Sequence, residues 1–179
     1  HLTTLKSVSY EEILEFASRG FPAMSILQEI AEWIGMELYC QNAYSKLAMQ
    51  TDNPYAQGIF RWLSEACGNH ANYLRKILEV LGWNFPDELF KPKKPSRLQL
   101  RRFKYDVEEV YWTAKEHLAI EEEMKETYQR LLAEVNNEKA REILSQMVKE
   151  EENHYRELSL LVQVFEQTYG NLGEAEVST

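Results

Sequence analysis

Glycine and proline are scarce in this sequence, seven and five among 179 residues. So few turn-formers leave room for few turns and therefore for long elements. Cysteine is scarcer still. Cys40 and Cys67 are too few and too far apart for a disulfide framework or a CxxC metal knuckle, so a reducing, cytoplasmic setting is expected. No apolar run is long enough to span a bilayer and none reads as a signal peptide, so no membrane partner is expected. Positive charge is in short supply, with 20 Lys and Arg against 29 Asp and Glu, a net charge of -9. That balance argues against a general nucleic-acid binder. Almost nothing reads as strand. What remains is a hydrophobic content ordinary for a globular chain and a length sufficient for one domain with a real core.

The prolines and most of the glycines sit at boundaries. Ser9-Tyr10-Glu11-Glu12 reads as a capping box that opens a short helix ending near Gly20-Phe21-Pro22. A long helix is expected from Ala23 to Thr51. Asp52 or Asn53 caps the next, with Pro54 at its first position, and it runs to Gly82. A proline-rich strap with no clear apolar period follows, at about residues 83–97. A third helix is expected from Leu98 to Val135, and a fourth, capped by Asn137, runs to Tyr169. The tail, residues 171–179, is expected to be disordered. Short turns within each helix pair and a long strap between the pairs predict an all-α fold. It is an antiparallel four-helix bundle of two hairpins with one long crossover, preceded by a short helix, in a single domain over residues 1–170.

The two hairpins resemble each other. A shift of 84 positions places Glu37 on Glu121, Tyr44 on Tyr128, Phe60 on Leu144, Asn69 on Asn153 and His70 on His154. Four landmarks in register, with Asn69 on Asn153 besides, point to a distant internal repeat. The shared ionisable residues lie on apolar faces. Helical spacing around Glu37 gives Ile30, Ile34 and Tyr44, and around His70 it gives Leu63, Ala66, Leu74 and Ile77. Around Glu121 it gives Ala114, Leu118, Met124 and Tyr128. On the fourth helix Glu151 and His154 share the face of Met147, Leu158 and Phe165. Each helix therefore turns at least one ionisable group inward. A buried carboxylate costs several kcal/mol unless paired. No Lys or Arg lies near these groups on those faces, and one or two divalent metal ions would supply the positive charge. Glu151-x-x-His154 puts two ligands one helical turn apart, and carboxylate with imidazole suits iron, manganese or zinc.

The "GMELYCQNAY" and "CGNH" of the first half, with the "AIEEEMKETY" and "EENH" of the second, resemble the rubrerythrin-like branch of the ferritin-like superfamily, over residues 24–170. That resemblance implies a bundle in which two helices each give a Glu and the other two each give a Glu-x-x-His. It implies Glu37, His70, Glu121, Glu151 and His154 as metal ligands and iron, up to two ions, as the cofactor. It also implies peroxide reduction or ferrous oxidation as the activity, and a homodimer. Trp33, Trp62, Trp83 and Trp112 offer more aromatic area than one small core needs, in keeping with a dimer.

The sequence departs from the family pattern at two points. Cys67 stands where the first Glu-x-x-His would have its glutamate, and Glu65 sits two positions too early to replace it. Cys67 is either a thiolate ligand, favouring zinc, or a small core residue. His117, one turn before Glu121, is either a replacement ligand or a satisfied core histidine. Tyr44 and Tyr128 read as packing residues that hydrogen-bond a carboxylate. The chain also lacks the CxxC pairs of a rubredoxin domain, so redox turnover needs an external electron donor. Two functions stay open. One is a metal-dependent peroxidase, ferroxidase or iron-handling protein. The other is a non-catalytic bundle, structural, dimerising or metal-sensing. The basic run from Lys91 to Lys104 either binds an anion or lies over the acidic bundle.

Overall fold

Two asparagines set the turns. Asn53 accepts a hydrogen bond from Ala56 N at 3.0 Å and Asn137 accepts one from Ala140 N at 2.9 Å, each satisfying an amide that the first helical turn leaves without a partner. In the computed structural model, which describes residues 22–99, 101–170 and 176–177, these caps divide two hairpins. The first joins α1 (Pro22–Gln50) to α2 (Pro54–Val80), and the second joins α3 (Asp106–Glu134) to α4 (Glu138–Tyr169). The short helix expected between Ser9 and Gly20 lies outside the described residues.

Ionic contacts fix the helix directions. Glu29 and Lys46 of α1 meet Arg130 and Glu109 of α3, so these helices run antiparallel. Trp62 and His70 of α2 meet His154 and Glu150 of α4, so these do too. Every packed pair is antiparallel, and α2 and α3 run parallel on the diagonal. A connection between parallel helices must travel the length of the bundle, which is why the crossover is long. The fold is thus an all-α four-helix bundle of two hairpins. Its core holds Ile30, Ile34, Leu63, Leu74, Ile120, Met124, Leu158 and Leu161, all fully buried.

The crossover leaves α2 at Gly82, whose φ of +95° suits glycine. There Trp83 N donates to Leu78 O and Gly82 N to Glu79 O, the paired bonds that close a helix C-terminus. The strap then crosses α1 at Gly35, where Lys93 N donates to Gly35 O at 2.8 Å. Its basic residues pair with acids on the bundle, Lys93 with Glu32, Arg97 with Glu123 and Arg101 with Glu116. The basic strap lies over an acidic surface.

One expectation is corrected. The third helix starts at Asp106 and not at Leu98. Leu98 is buried from the non-helical strap, where its N donates to Pro95 O in a turn, and the acidic trio Asp106, Glu108 and Glu109 occupies the first turn, where the helix dipole favours negative charge and opposes Arg101 and Arg102. Those two arginines form β1 (Arg101–Arg102), which pairs antiparallel with β2 (Glu176–Val177); the other tail residues, 171–175 and 178–179, lie outside the described residues.

Candidate metal centre

Each helix brings its inward ionisable group to one level of the bundle. Glu37 comes from α1, His70 from α2, Glu121 from α3, and Glu151 and His154 from α4. All five are at most 4% exposed. His70 Nδ1 lies 2.6 Å from Glu151 Oε1 and 3.4 Å from Glu37 Oε1. His154 Nδ1 lies 3.4 Å from Glu151 Oε2 and 3.8 Å from Glu121 Oε2. The two imidazole rings are 5.3 Å apart. The structure therefore joins all five residues in one chain of contacts, running Glu37, His70, Glu151, His154, Glu121.

The internal repeat is visible in the tyrosines. Tyr44 donates its hydroxyl to Glu121 Oε1 at 2.5 Å, and Tyr128 donates to Glu37 Oε1 at 2.5 Å. Each tyrosine sits two turns after the glutamate of its own helix but holds the glutamate of the other hairpin. The exchange is reciprocal, so it orients both carboxylates with approximate two-fold symmetry.

Four atoms of this cluster are buried without a hydrogen bond: Glu37 Oε2, Glu121 Oε2, Glu151 Oε1 and His70 Nδ1. Leaving such atoms unsatisfied costs about 1–3 kcal/mol each, and more when charged. The 2.6 Å separation of His70 Nδ1 and Glu151 Oε1 is short enough for a hydrogen bond, yet no N–H is aimed along it. Atoms that crowd together without that alignment converge on a common point. The ligand atoms of His70, Glu151 and His154 all lie within 4.8 Å of one another. Among the described residues no lysine or arginine pairs with Glu37, Glu121 or Glu151. The donor set of carboxylate oxygens and imidazole nitrogens fits a divalent cation, which would accept these lone pairs and neutralise the carboxylates.

Without a cation, protons take that role. Burial, then the neighbouring Glu151 charge, raises the Glu121 carboxyl to about 7. Burial would raise Glu151 too, but the neighbouring Glu121, His154 and His70 outweigh it and hold Glu151 below the usual range. The two carboxyls are pushed in opposite directions, so Glu121 is the one that more readily keeps a proton. Burial would lower His154, but Glu121 and Glu151 lift it to about 9. His70 is likewise raised by Glu150, Glu151 and Glu37 against its burial. Metal binding must displace these protons, so it is coupled to pH.

The other two candidates enter none of these contacts, although Cys67 feels the charge of Glu37 and His117 that of Glu121. His117 is buried with its ring tilted on Tyr44 at 4.8 Å, and its Nδ1 has no partner. Burial pushes it down to about 4, so it is neutral. It lines a cleft of about 430 Å³ between α1, α3 and Leu98, Gln99, Arg101 and Phe103, with Glu116 and Gln50 among the other walls. Cys67 is buried, and burial, then the Glu37 charge, raises its thiol well above the ordinary value. Sequence reasoning missed three neighbours. Glu150 Oε2 lies 2.6 Å from His70 Nε2, Trp62 meets the His154 ring edge-on at 5.0 Å, and Cys40 is a second buried thiol that feels Glu37. Cys40 stood one turn after Glu37, a spacing that marks it. The Glu150 contact crosses between hairpins and left no local signal.

The family model described as Rubrerythrin matches residues 30–162. The chain belongs to the rubrerythrin family. No curated protein matches it. Among solved structures, a hypothetical protein from Pyrococcus furiosus is 20% identical, with a TM-score of 0.66 over 90% of this chain and 98% of that one. A bacterioferritin-related protein from Bacteroides fragilis, described as a dodecameric thioferritin, is 17% identical, with a TM-score of 0.61 over 90% of this chain and 99% of its own. These two likenesses speak to the fold alone. This rubrerythrin-family bundle contains no helix long and apolar enough to cross a membrane among its described residues.

Proposed function

We propose that this rubrerythrin-family chain binds iron through Glu37, His70, Glu121, Glu151 and His154, and handles ferrous iron, peroxide or oxygen as an oxidoreductase or iron-handling protein. The observation that carries the reading is the convergence of three buried carboxylates and two imidazoles without a lysine or arginine partner. Bound iron would supply the change between ferrous and ferric states. The chain's own residues do the rest. Tyr44 and Tyr128 hold Glu121 and Glu37 in place. Glu121, Glu151 and His154 hold the protons that leave when a cation enters and return when it departs. Trp62 packs against the His154 ring. An external electron donor completes turnover, and the working form is a homo-oligomer of cytoplasmic chains, at least a dimer. The dodecameric state of the Bacteroides fragilis neighbour supports assembly.

A second reading has one observation in its favour. Cys67 stands in place of a carboxylate one turn before His70, which leaves the centre one oxygen donor short of the family pattern and suits a non-catalytic, metal-sensing or structural bundle. Anaerobic titration with ferrous iron, followed by peroxide, separates the two. Iron retained by the parent and peroxide consumed with an added reductant supports the oxidoreductase. Iron retained without peroxide consumption supports the second reading, and no iron retained removes the metal role.

A further inference from the structure

His70 has a carboxylate beside each ring nitrogen. Nδ1 faces inward, 2.6 Å from Glu151 Oε1 and 3.4 Å from Glu37 Oε1. Nε2 faces outward, 2.6 Å from Glu150 Oε2. Glu150 belongs to the other hairpin, and its side chain is 29% exposed. Its second oxygen accepts a hydrogen bond from Gln146 Nε2 at 2.9 Å, which fixes the carboxylate in place. His154 has no such arrangement. Its Nδ1 faces Glu151 and Glu121, its ring edge packs on Trp62, and among the described residues no carboxylate is paired with its outer nitrogen. The repeat does not provide one either, since the position equivalent to Glu150 in the first hairpin is Ala66.

A neutral imidazole carries one N–H and one lone pair. A carboxylate on Nε2 keeps the N–H there and leaves the lone pair on Nδ1, directed at the cluster. It also lends negative charge to the ring and makes Nδ1 a stronger donor to a cation. From the contrast between the two histidines we infer that Glu150 is a positioning residue for His70. The helix that has Cys67 in place of its own glutamate receives from α4 a carboxylate that sets which nitrogen of His70 faces the metal. This rests on the metal reading of the centre. A surface ion pair would be worth little, but this carboxylate meets a ring that is 1% exposed and acts through it on a fully buried site.

The test is zinc titration by calorimetry with Glu150→Gln, Glu150→Ala and, as an exposed neighbour, Glu152→Ala. Loss of a carboxylate that only touches a ligand costs roughly 10–100-fold in metal affinity, and that range is expected for Glu150→Ala. Glu150→Gln keeps an oxygen acceptor without the charge and should fall between Glu150→Ala and the parent, while Glu152→Ala matches the parent. Nitrogen-15 spectra of the zinc-loaded protein supply a readout that a merely structural role would not move. The parent should show His70 metallated at Nδ1 with a slowly exchanging Nε2 proton, and Glu150→Ala should lose that proton signal. Equal zinc affinity in parent and Glu150→Ala, or zinc on Nε2 of His70, overturns this inference and leaves the metal reading standing. A parent that binds no zinc or iron overturns both.

Discussion

At residue 67 the hairpins part company: the second has Glu151 one turn before its histidine, and the first has Cys67, a neutral buried thiol. Replacing it with a carboxylate should restore the pattern at a price in the metal-free state. Cys67→Glu adds bulk to a packed core, at about 1–3 kcal/mol, and a further negative charge beside Glu37. The metal-free variant should therefore unfold at lower urea than the parent. Ferrous iron should reverse that loss, and iron stoichiometry should rise toward two per chain, as ligand linkage requires. Equal stoichiometry in parent and variant would show that residue 67 does not face the site. His117 offers a test of a different kind. Its unfolded pKa is 6.5 and its folded value about 4. Above 6.5 both states are neutral and the group has no effect. Between 6.5 and 4 the unfolded chain gains a proton that the folded one refuses, so stability falls as pH falls, by about 3 kcal/mol in all. His117→Phe keeps a ring against Tyr44 and cannot titrate. Its stability loss between pH 7 and pH 4, measured by urea unfolding, should be smaller than the parent's by about that amount. Parallel losses would mean that His117 takes up a proton while folded.

Among the elements, the crossover strap is the one held by the closest backbone approach. A Cβ at Gly35 would meet Lys91 O at 2.9 Å and Lys93 Cβ at 3.0 Å. A backbone carbonyl cannot step aside as a side-chain tip can. In an open helix Gly→Ala gains about 1 kcal/mol. Gly35→Ala should instead destabilise by about 1–2 kcal/mol as the strap is pushed off α1, and trypsin should then cut after Lys93 faster than in the parent, Pro92 and Pro95 blocking the bonds after Lys91 and Lys94. Unchanged melting and cleavage would show that the strap is not seated there. The four helices were legible because their apolar positions recur with helical period and because Asn53, Pro54 and Asn137 punctuate them. The strap was legible from its prolines. The start of α3 was not, because Leu98, Leu100 and Phe103 continue an apolar pattern in the sequence while Leu98 is buried from a non-helical segment. The two-residue pairing of β1 with β2 is too short to leave any periodic trace. The geometry at the centre was legible through the repeat, which put five ionisable residues on inward faces. That Tyr44 and Tyr128 hydrogen-bond carboxylates was readable as well. That each serves the other hairpin's glutamate, and that Glu150 reaches His70, depends on packing between hairpins that no local spacing encodes.

For the whole molecule, the open matter is how many chains work together. The tryptophan argument for a dimer weakens, since Trp33 is a core residue at 4% exposure, while Trp62 is 38% exposed. Better support comes from α4. Leu160 and Val164 lie one helical turn apart and are 45% and 36% exposed. Adjacent branched aliphatic side chains on a helix face lose water favourably, by about 25 cal/mol for each Å² covered. A second copy of the chain would cover them, as the proposed homo-oligomer requires. Light scattering on the parent at micromolar concentration should give a mass that is a multiple of the 21.1 kDa chain. Leu160→Lys with Val164→Lys should lower that mass while circular dichroism stays helical, because neither side chain belongs to the core cluster. The centre lies inside each bundle, built from its own four helices, so dissociation should leave iron stoichiometry per chain unchanged. A parent that runs at 21.1 kDa would refute the assembly. A double variant that keeps the parent's mass would move the interface to another face of the bundle.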